Sequence, residues 1–144
     1  MQARFLSLLL IMFFALPSEA KINRFEELFI WKMSEALELD AKKEADFAAT
    51  IKKLNKQKAS RLNDLNALNT EMAKVKDRAK ASALLIEYQT KLTSYQSVNL
   101  DEVKFLQEIF NPMQMAKYLS YKSIVLSKLQ AKLKARAQAG AQSK

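Results

Sequence analysis

The stretch IFNPMQMAKY, residues 109 to 118, interrupts a chain in which apolar residues otherwise recur at helical spacing. Asn111 is a residue type favoured just before a helix, where its side chain accepts a backbone N–H. Pro112 would then take the first helical position, where its missing N–H costs no hydrogen bond. Gln114 is placed to reach back to the Asn111 backbone N–H, which completes a capping box. The sequence therefore predicts that one helix ends at Phe110 and that the next begins without a loop.

Long helices are predicted on both sides of this break. Apolar residues at alternating three- and four-residue spacing indicate one helix from about 78 to 110 and another that follows the break. The first pattern consists of Ala81, Leu85, Tyr88, Leu92, Tyr95, Val103, Leu106 and Phe110. The second pattern consists of Met115, Leu119, Leu126, Leu129 and Leu133. The small, polar segment 138–144 is predicted to fray and to be disordered.

Two more helices are predicted upstream. Residues 24–37 are apolar over so wide an arc that we expect this helix to be covered on more than one side. Asp40 is the predicted N-cap of the next helix, and Asp77 that of the helix after a turn within 74–82. The helix after Asp40 is indicated by Phe47, Ile51, Leu54, Leu65, Leu68, Met72 and Val75. The predicted fold is all-α, with four helices of which the second and third form a long antiparallel hairpin.

The composition excludes several classes of function. The chain has 144 residues with one Gly, two Pro, no Cys and no His. Disulfides, the usual zinc sites and a His-based triad are therefore excluded, and one Gly cannot build a phosphate loop. We expect no catalytic residue, no metal and no cofactor, and hence no enzyme.

The N-terminus predicts export. Arg4 is followed by the apolar run FLSLLLIMFFAL, residues 5–16, and by small residues that end at Ala20. This pattern is typical of a signal peptide spanning residues 1–20, with cleavage after Ala20. An uncleaved membrane anchor is the alternative, but twelve residues span only about 18 Å as a helix. An exported chain without Cys fits the bacterial periplasm.

The basic charge has a preferred location. The net charge is +9, and residues 52–61 contain five bases and no acid. Lys58 and Arg61 take positions at which the spacing of the second helix calls for apolar residues. Either their stems cover the core while the charged ends reach water, or the segment faces an open basic cavity. The second interpretation gives a candidate client-binding surface of Ile51, Lys52, Leu54, Lys58, Arg61, Leu62 and Leu65.

Two short segments carry a family resemblance. FNPMQ, residues 110–114, is similar to Leu-Thr-Pro-x-Gln, with Phe110 for Leu, Asn111 for Thr, and both Pro112 and Gln114 retained. This is the second form of the Leu-Thr-x-x-Gln (LTXXQ) motif of the periplasmic Spy/CpxP-type proteins.

The first copy of that motif would fall on LDAKK, residues 39–43. Leu39 matches, Asp40 replaces Thr as another N-cap, and Lys43 replaces Gln. The layout of the chain also resembles the family, with a domain over 21–137 between the signal peptide and the tail. The resemblance implies an elongated, curved homodimer that acts as an ATP-independent chaperone or as an adaptor in envelope-stress signalling. A related branch senses heavy metals largely through His, which this chain lacks.

The predicted function is that of an exported chaperone for unfolded proteins. Basic residues would attract clients at long range, and apolar patches would hold them weakly. The alternative is a periplasmic regulator, or a metal-sensor or metal-resistance relative, that docks on one envelope partner. Nucleic acid is not expected as a partner because the protein is exported. The basic run at Lys128, Lys132, Lys134 and Arg136 leaves open weak contact with an anionic membrane or simple complementation of the helix dipole.

Overall fold

The computed structural model describes residues 19–142 as four α-helices, and no strand occurs among them. The helices are α1 (Glu19–Ala36), α2 (Ala41–Met72), α3 (Arg78–Ile109) and α4 (Pro112–Gln142). The all-α class predicted from the sequence is therefore confirmed. Most of the predicted signal peptide lies outside the described residues, and its cleavage site falls in the first turn of α1. No helix within 19–142 is long and apolar enough to cross a membrane.

The chain divides into two compact units. One unit spans Leu39–Pro112 and contains α2 and α3. The other combines the segments before Leu39 and after Pro112, and its described part contains α1 and α4. The chain leaves the unit of α1 and α4 at Leu39 and returns to it after Pro112. The domain predicted over 21–137 stays a prediction.

Short polar caps set the ends of α2 and α3. Asp40 Oδ1 accepts a hydrogen bond of 2.9 Å from the Lys43 backbone N–H, and Asp77 Oδ2 accepts one of 2.8 Å from Lys80. The backbone N–H groups in the first turn of a helix have no carbonyl partner within the helix, and each carboxylate accepts a hydrogen bond from one of them. The connection over 73–77 contains neither Gly nor Pro. The Asp77 cap is therefore the main sequence signal for the turn.

Helices α2 and α3 pack against each other in opposite directions. Close side-chain pairs join Glu71 to Lys80 near the turn and Lys58 to Glu102 further away from it. At the far end, the rings of Phe47 and Phe110 lie with their centroids 5.3 Å apart. The end of α2 thus lies beside the start of α3, and the start of α2 lies beside the end of α3. The two helices are therefore antiparallel. The buried apolar residues of this unit are Phe47, Ile51, Leu54, Leu62, Leu65, Leu68, Leu84, Val98, Leu106 and Phe110.

The predicted face of α3 is wrong in its first half. Leu85 is 55% exposed, whereas Leu84 is buried. The two are adjacent, and both keep helical spacing to Tyr88, so the spacing alone could not choose between them. Val98 completes the buried face and was missing from the predicted pattern.

The unit of α1 and α4 has a smaller core. Its buried apolar residues are Ile30, Met33, Leu37, Met115 and Tyr118. The rings of Phe29 and Tyr118 meet edge to face at a centroid distance of 6.4 Å. The expectation that α1 is covered on more than one side is wrong, because Phe25, Leu28 and Trp31 remain exposed on its other side.

Helix α4 differs from its prediction at two places. Tyr118 is the buried residue where the spacing favoured Leu119, which is 44% exposed. The helix also continues to Gln142, into the tail that was expected to be disordered from 138. Four of residues 131–139 are Ala, the strongest helix former, which accounts for the continuation.

Candidate functional site

The predicted client-binding surface on α2 is wrong, because all four of its apolar residues belong to the core. Ile51, Leu54, Leu62 and Leu65 are all buried between α2 and α3. Side chains in that position cannot hold a client while the unit stays folded. Only Lys52 of the predicted set is exposed.

Lys58 and Arg61 interrupt the apolar spacing because they form polar contacts across the seam between the helices. Lys58 Nζ lies 3.0 Å from Glu102 Oε2, and the Glu102 side chain is only 5% exposed. Arg61 donates to the Ser94 carbonyl oxygen and, at 3.0 Å, to Ser97 Oγ. Both side chains are half-buried, so they reach water in part, as the first interpretation has it, but they also make specific bonds across the seam that neither interpretation predicted. The seam therefore alternates apolar layers with a polar one.

Glu102 is the residue that sequence reasoning missed at this seam. It lies four residues from both Val98 and Leu106, and so on the buried face of α3. The sequence holds a signal for this contact. A carboxylate lies at a core position of one helix and two bases lie at core positions of its neighbour, which indicates an ion pair between the two helices of the predicted hairpin. Within the same unit, burial raises the pKa of the Tyr95 phenol, since desolvation disfavours the phenolate.

The motif residues lie at helix ends. Leu39 is half-buried beside the Asp40 cap, and Phe110 is buried and extended at the end of α3. Pro112 is the first residue of α4 and Asn111 lies just before it, so Asn111 is the residue that the proline restricts away from helix.

Gln114 makes a contact that spacing could not predict. Its Nε2 donates a hydrogen bond of 3.1 Å to the carbonyl oxygen of Leu37, just after the end of α1. The predicted capping bond would use Oε1 of the same amide, so the two roles are chemically compatible. Next to Leu37, Glu38 has a φ of 52°, in the left-handed region that often ends a helix.

Exposed apolar side chains form an arc on α1. Phe25, Leu28 and Trp31 are 51%, 48% and 55% exposed, and the three-residue spacing keeps them on one side of the helix. Lys32 lies beside them, with Nζ 5.8 Å from the centre of the Trp31 ring. We call Phe25, Leu28 and Trp31 the α1 arc. It combines three large apolar groups with a neighbouring cation and lies away from the buried Ile30, Met33 and Leu37.

A second exposed feature is a charge-free stripe on α3. Between residues 81 and 100 the only charged residues are Glu87 and Lys91, and Lys91 Nζ lies 3.5 Å from Asp64 Oδ2 of α2. The side of α3 away from this pair has no charge over about five turns. We define the α3 stripe as Leu85, Gln89, Leu92, Gln96, Leu100 and Val103, which keep three-four spacing.

The described residues offer no concentrated chemical site. A shallow groove of about 330 Å³ lies between α2 and α3, lined by Asp46, Lys53, Phe105 and Glu108 among others. Lys53 Nζ lies 5.6 Å from the Phe105 ring centre, so the base already covers the apolar wall of the groove. Within 19–142 no three or more acidic residues are placed together to hold a metal ion.

Comparisons with protein-family models, with curated proteins and with solved structures find no match to this chain. The resemblance to Spy/CpxP-type proteins therefore stays a prediction that depends on residues 39–43 and 110–114 and on the layout of the helices.

Proposed function

We propose that this protein is an exported, ATP-independent periplasmic chaperone without enzymatic activity, which holds unfolded segments at the α1 arc. The observation that carries the proposal is the exposure of Phe25, Leu28 and Trp31 on one side of a single helix. Monomeric proteins seldom leave contiguous apolar patches uncovered without an interaction that uses them. The resemblance at residues 39–43 and 110–114 supports the same function from independent residues.

The chemistry of the α1 arc suits weak and general binding. Aromatic side chains at interfaces offer a large contact area with few rotatable bonds, so little entropy is lost when a client covers them. Half of each side chain is already covered by the protein itself, which limits the area that a client can bury. A net charge of +9 attracts acidic segments of unfolded chains at long range. Weak contacts then allow release without ATP.

The test is aggregation of several chemically unfolded clients, followed by light scattering with and without the exported form, residues 21–144. The triple variant Phe25→Ser, Leu28→Ser, Trp31→Ser should lose most of the suppression. The control is Met113→Ser, Ile124→Ser, Leu126→Ser, which removes the same number of exposed apolar side chains from α4. Circular dichroism of both variants establishes that the helices remain.

The outcomes separate a chaperone from a dedicated regulator. Suppression of many unrelated clients that weakens at high salt and depends on the α1 arc supports the proposal. Equal loss in both triple variants would mean that any exposed apolar group suffices, and the α1 arc would have no special role. No suppression of any client would reject the chaperone and favour a regulator with one partner, which pull-down from envelope extracts would then seek.

We also propose that the protein is a homodimer whose copies meet along the α3 stripe. Two chains that each carry +9 repel one another, and the repulsion is smallest where no charge lies on either surface. The α3 stripe repeats Leu and Gln at the three-four spacing of helix pairing, with Leu100 74% exposed. Gln side chains both donate and accept, so they can bond to each other across a twofold interface.

Sedimentation equilibrium tests the dimer. A charge placed on the stripe by Leu100→Glu should shift the exported form toward the monomer, since two copies would bury like charges. The matched control is Ala83→Glu, which adds the same charge to an exposed position of α3 outside the defined stripe. A monomeric unmodified chain, or equal mass loss in both variants, would reject this interface.

A further inference from the structure

Most of the net charge lies on the last helix, which contains six bases and no acid. Residues 109–144 contain seven bases and no acid, whereas residues 1–108 contain 17 bases and 15 acids. The final 36 residues therefore carry +7 of the net +9, and the preceding 108 carry +2. Charge segregated in this way on one element indicates an anionic partner for that element.

The described side chains of α4 beyond Tyr118 lie at the surface of the protein. Among the α4 side chains that the structure describes, Tyr118 is the last that is buried, and every later one is exposed or half-buried. Four of these are large and apolar, namely Leu119, Tyr121, Ile124 and Leu126. A helix of this length in water, with apolar groups uncovered, gains stability from a surface that covers them.

Two of the four exposed apolar residues of α4 lie opposite a row of bases, and the other two, Tyr121 and Ile124, lie on the same side as that row. Leu119 and Leu126 are seven residues apart, two turns, and so fall on nearly the same side. Lys117, Lys128 and Lys132 fall in another row, roughly opposite to these leucines at about 100° per residue.

A basic residue on the apolar side is accommodated by its stem. Lys122 Nζ lies 6.0 Å from the centre of the Tyr118 ring, which attracts the cation, and its flexible stem is long enough to carry the charge to the headgroups. Such a lysine belongs to an amphipathic helix that lies flat on an interface.

We propose that α4, from Leu119 onward, docks in the plane of an anionic lipid bilayer. Headgroup phosphates neutralise the bases, and the boundary of the acyl region takes up the exposed leucines without needing a shaped pocket. An acidic protein surface would supply charge but no apolar layer for Leu119 and Leu126. The helix lies on the membrane and does not span it. The inference goes beyond the chaperone proposal and does not depend on it.

Flotation of the exported form with vesicles tests the charge requirement. Binding is expected to vesicles that contain phosphatidylglycerol and not to vesicles of phosphatidylcholine alone, and it should weaken at high salt. The variant Lys128→Gln, Lys132→Gln should bind about 30-fold more weakly, at about fivefold for each base removed near an anionic surface. The control Lys52→Gln, Lys56→Gln removes the same charge from exposed positions of α2 and should change binding less than about twofold.

The apolar contribution needs a separate readout. A Trp31→Phe, Leu126→Trp chain carries one Trp on the leucine side of α4, and its emission should shift to shorter wavelength when vesicles with phosphatidylglycerol are added. In the unmodified chain the reporter is Trp31 of α1. If Trp31 shows the shift and the reporter on α4 does not, the helix that docks is α1 and the proposal is overturned. Vesicle binding with no shift at either position would leave only a charge contact and would also overturn it.

Two further results would contradict the proposal. Equal binding to both vesicle types would remove the role of charge, and equal loss in the two lysine pairs would show that net charge acts without any role for α4. If soluble polyglutamate binds α4 and displaces it from the vesicles at equal charge concentration, the partner is an acidic polypeptide instead.

Discussion

The pair α2–α3 and the helices α1 and α4 use apolar residues in different ways. In α2–α3, apolar side chains alternate with a polar layer made by Lys58, Arg61 and Glu102, and the main seam is covered. In α1 and α4, the core is small and large apolar groups such as Trp31 and Ile124 are left exposed on other sides. The comparison teaches that the first unit carries stability and the second offers surface. The predictions below test that division by chemical denaturation of the exported form.

The largest effect is expected for Leu65→Ala in the α2–α3 seam. Leu65 is buried, so its truncation removes apolar contacts and leaves a cavity that costs about 2–5 kcal/mol of unfolding free energy. Ile86→Ala is the control, because Ile86 is 65% exposed on α3, lies outside the α3 stripe and should cost less than about 0.5 kcal/mol. A small loss for Leu65→Ala would show that the seam is not the stabilising element.

Breaking the polar layer should have the next largest effect. Lys58→Ala removes the partner of a buried Glu102 carboxylate, which we expect to cost about 2 kcal/mol because the lysine itself is partly exposed. The double variant Lys58→Met, Glu102→Leu should recover most of this loss, since it removes both charges and keeps apolar volume. If the double variant is as unstable as the single one, the loss of stability in Lys58→Ala does not come from an unpaired Glu102 carboxylate.

A smaller effect is expected in the α1–α4 unit from Gln114→Ala. The loss of the hydrogen bond to the Leu37 carbonyl should cost about 1 kcal/mol. Gln114→Glu is the informative comparison, because an ionised carboxylate keeps the acceptor for the predicted capping bond but has no N–H to donate. If Gln114→Glu is as stable as the unmodified chain, the contact with Leu37 contributes nothing and the cap alone matters.

The smallest effect concerns pH and Tyr95. Burial raises the pKa of this phenol above its value of 10.0 in the unfolded chain. The folded state then keeps a proton that the unfolded state releases, so this contribution is present below pH 10 and is lost as pH rises through the folded pKa. Unfolding free energy of the unmodified chain should therefore fall more steeply in alkali than that of Tyr95→Phe. Parallel curves for the two chains would show that the phenol is solvated in the folded state.

The sequence predicted the helices better than their buried faces. The caps at Asp40 and Asp77 and the break at Pro112 are local signals, and the structure ends or begins helices there. The buried face of a helix depends on which of its residues the neighbouring helix covers. Adjacent residues such as Leu84 and Leu85 fit the helical spacing equally well, so the spacing does not choose between them. The predicted client surface is wrong for a related reason. Bases at core positions of α2 suggest a gap in the packing, but in the structure they form the polar layer between α2 and α3. The bond from Gln114 to Leu37 joins residues 77 apart and had no signal in spacing.

That bond has a consequence for how the short motif at residues 110–114 can change over evolutionary time. Its apolar position needs only a side chain that fills space against Phe47, which both Leu and Phe can do, and its cap position accepts any of Thr, Ser, Asn or Asp. The last position is different, because the Gln114 amide donates to the end of α1 through Nε2 and also carries an oxygen that can accept at the start of its own helix. Glu lacks the donor, Asn is one methylene shorter, and Lys lacks the acceptor. Substitutions at positions 110 and 111 that keep volume and capping should therefore be tolerated, whereas a substitution of Gln114 loses at least one of its two roles.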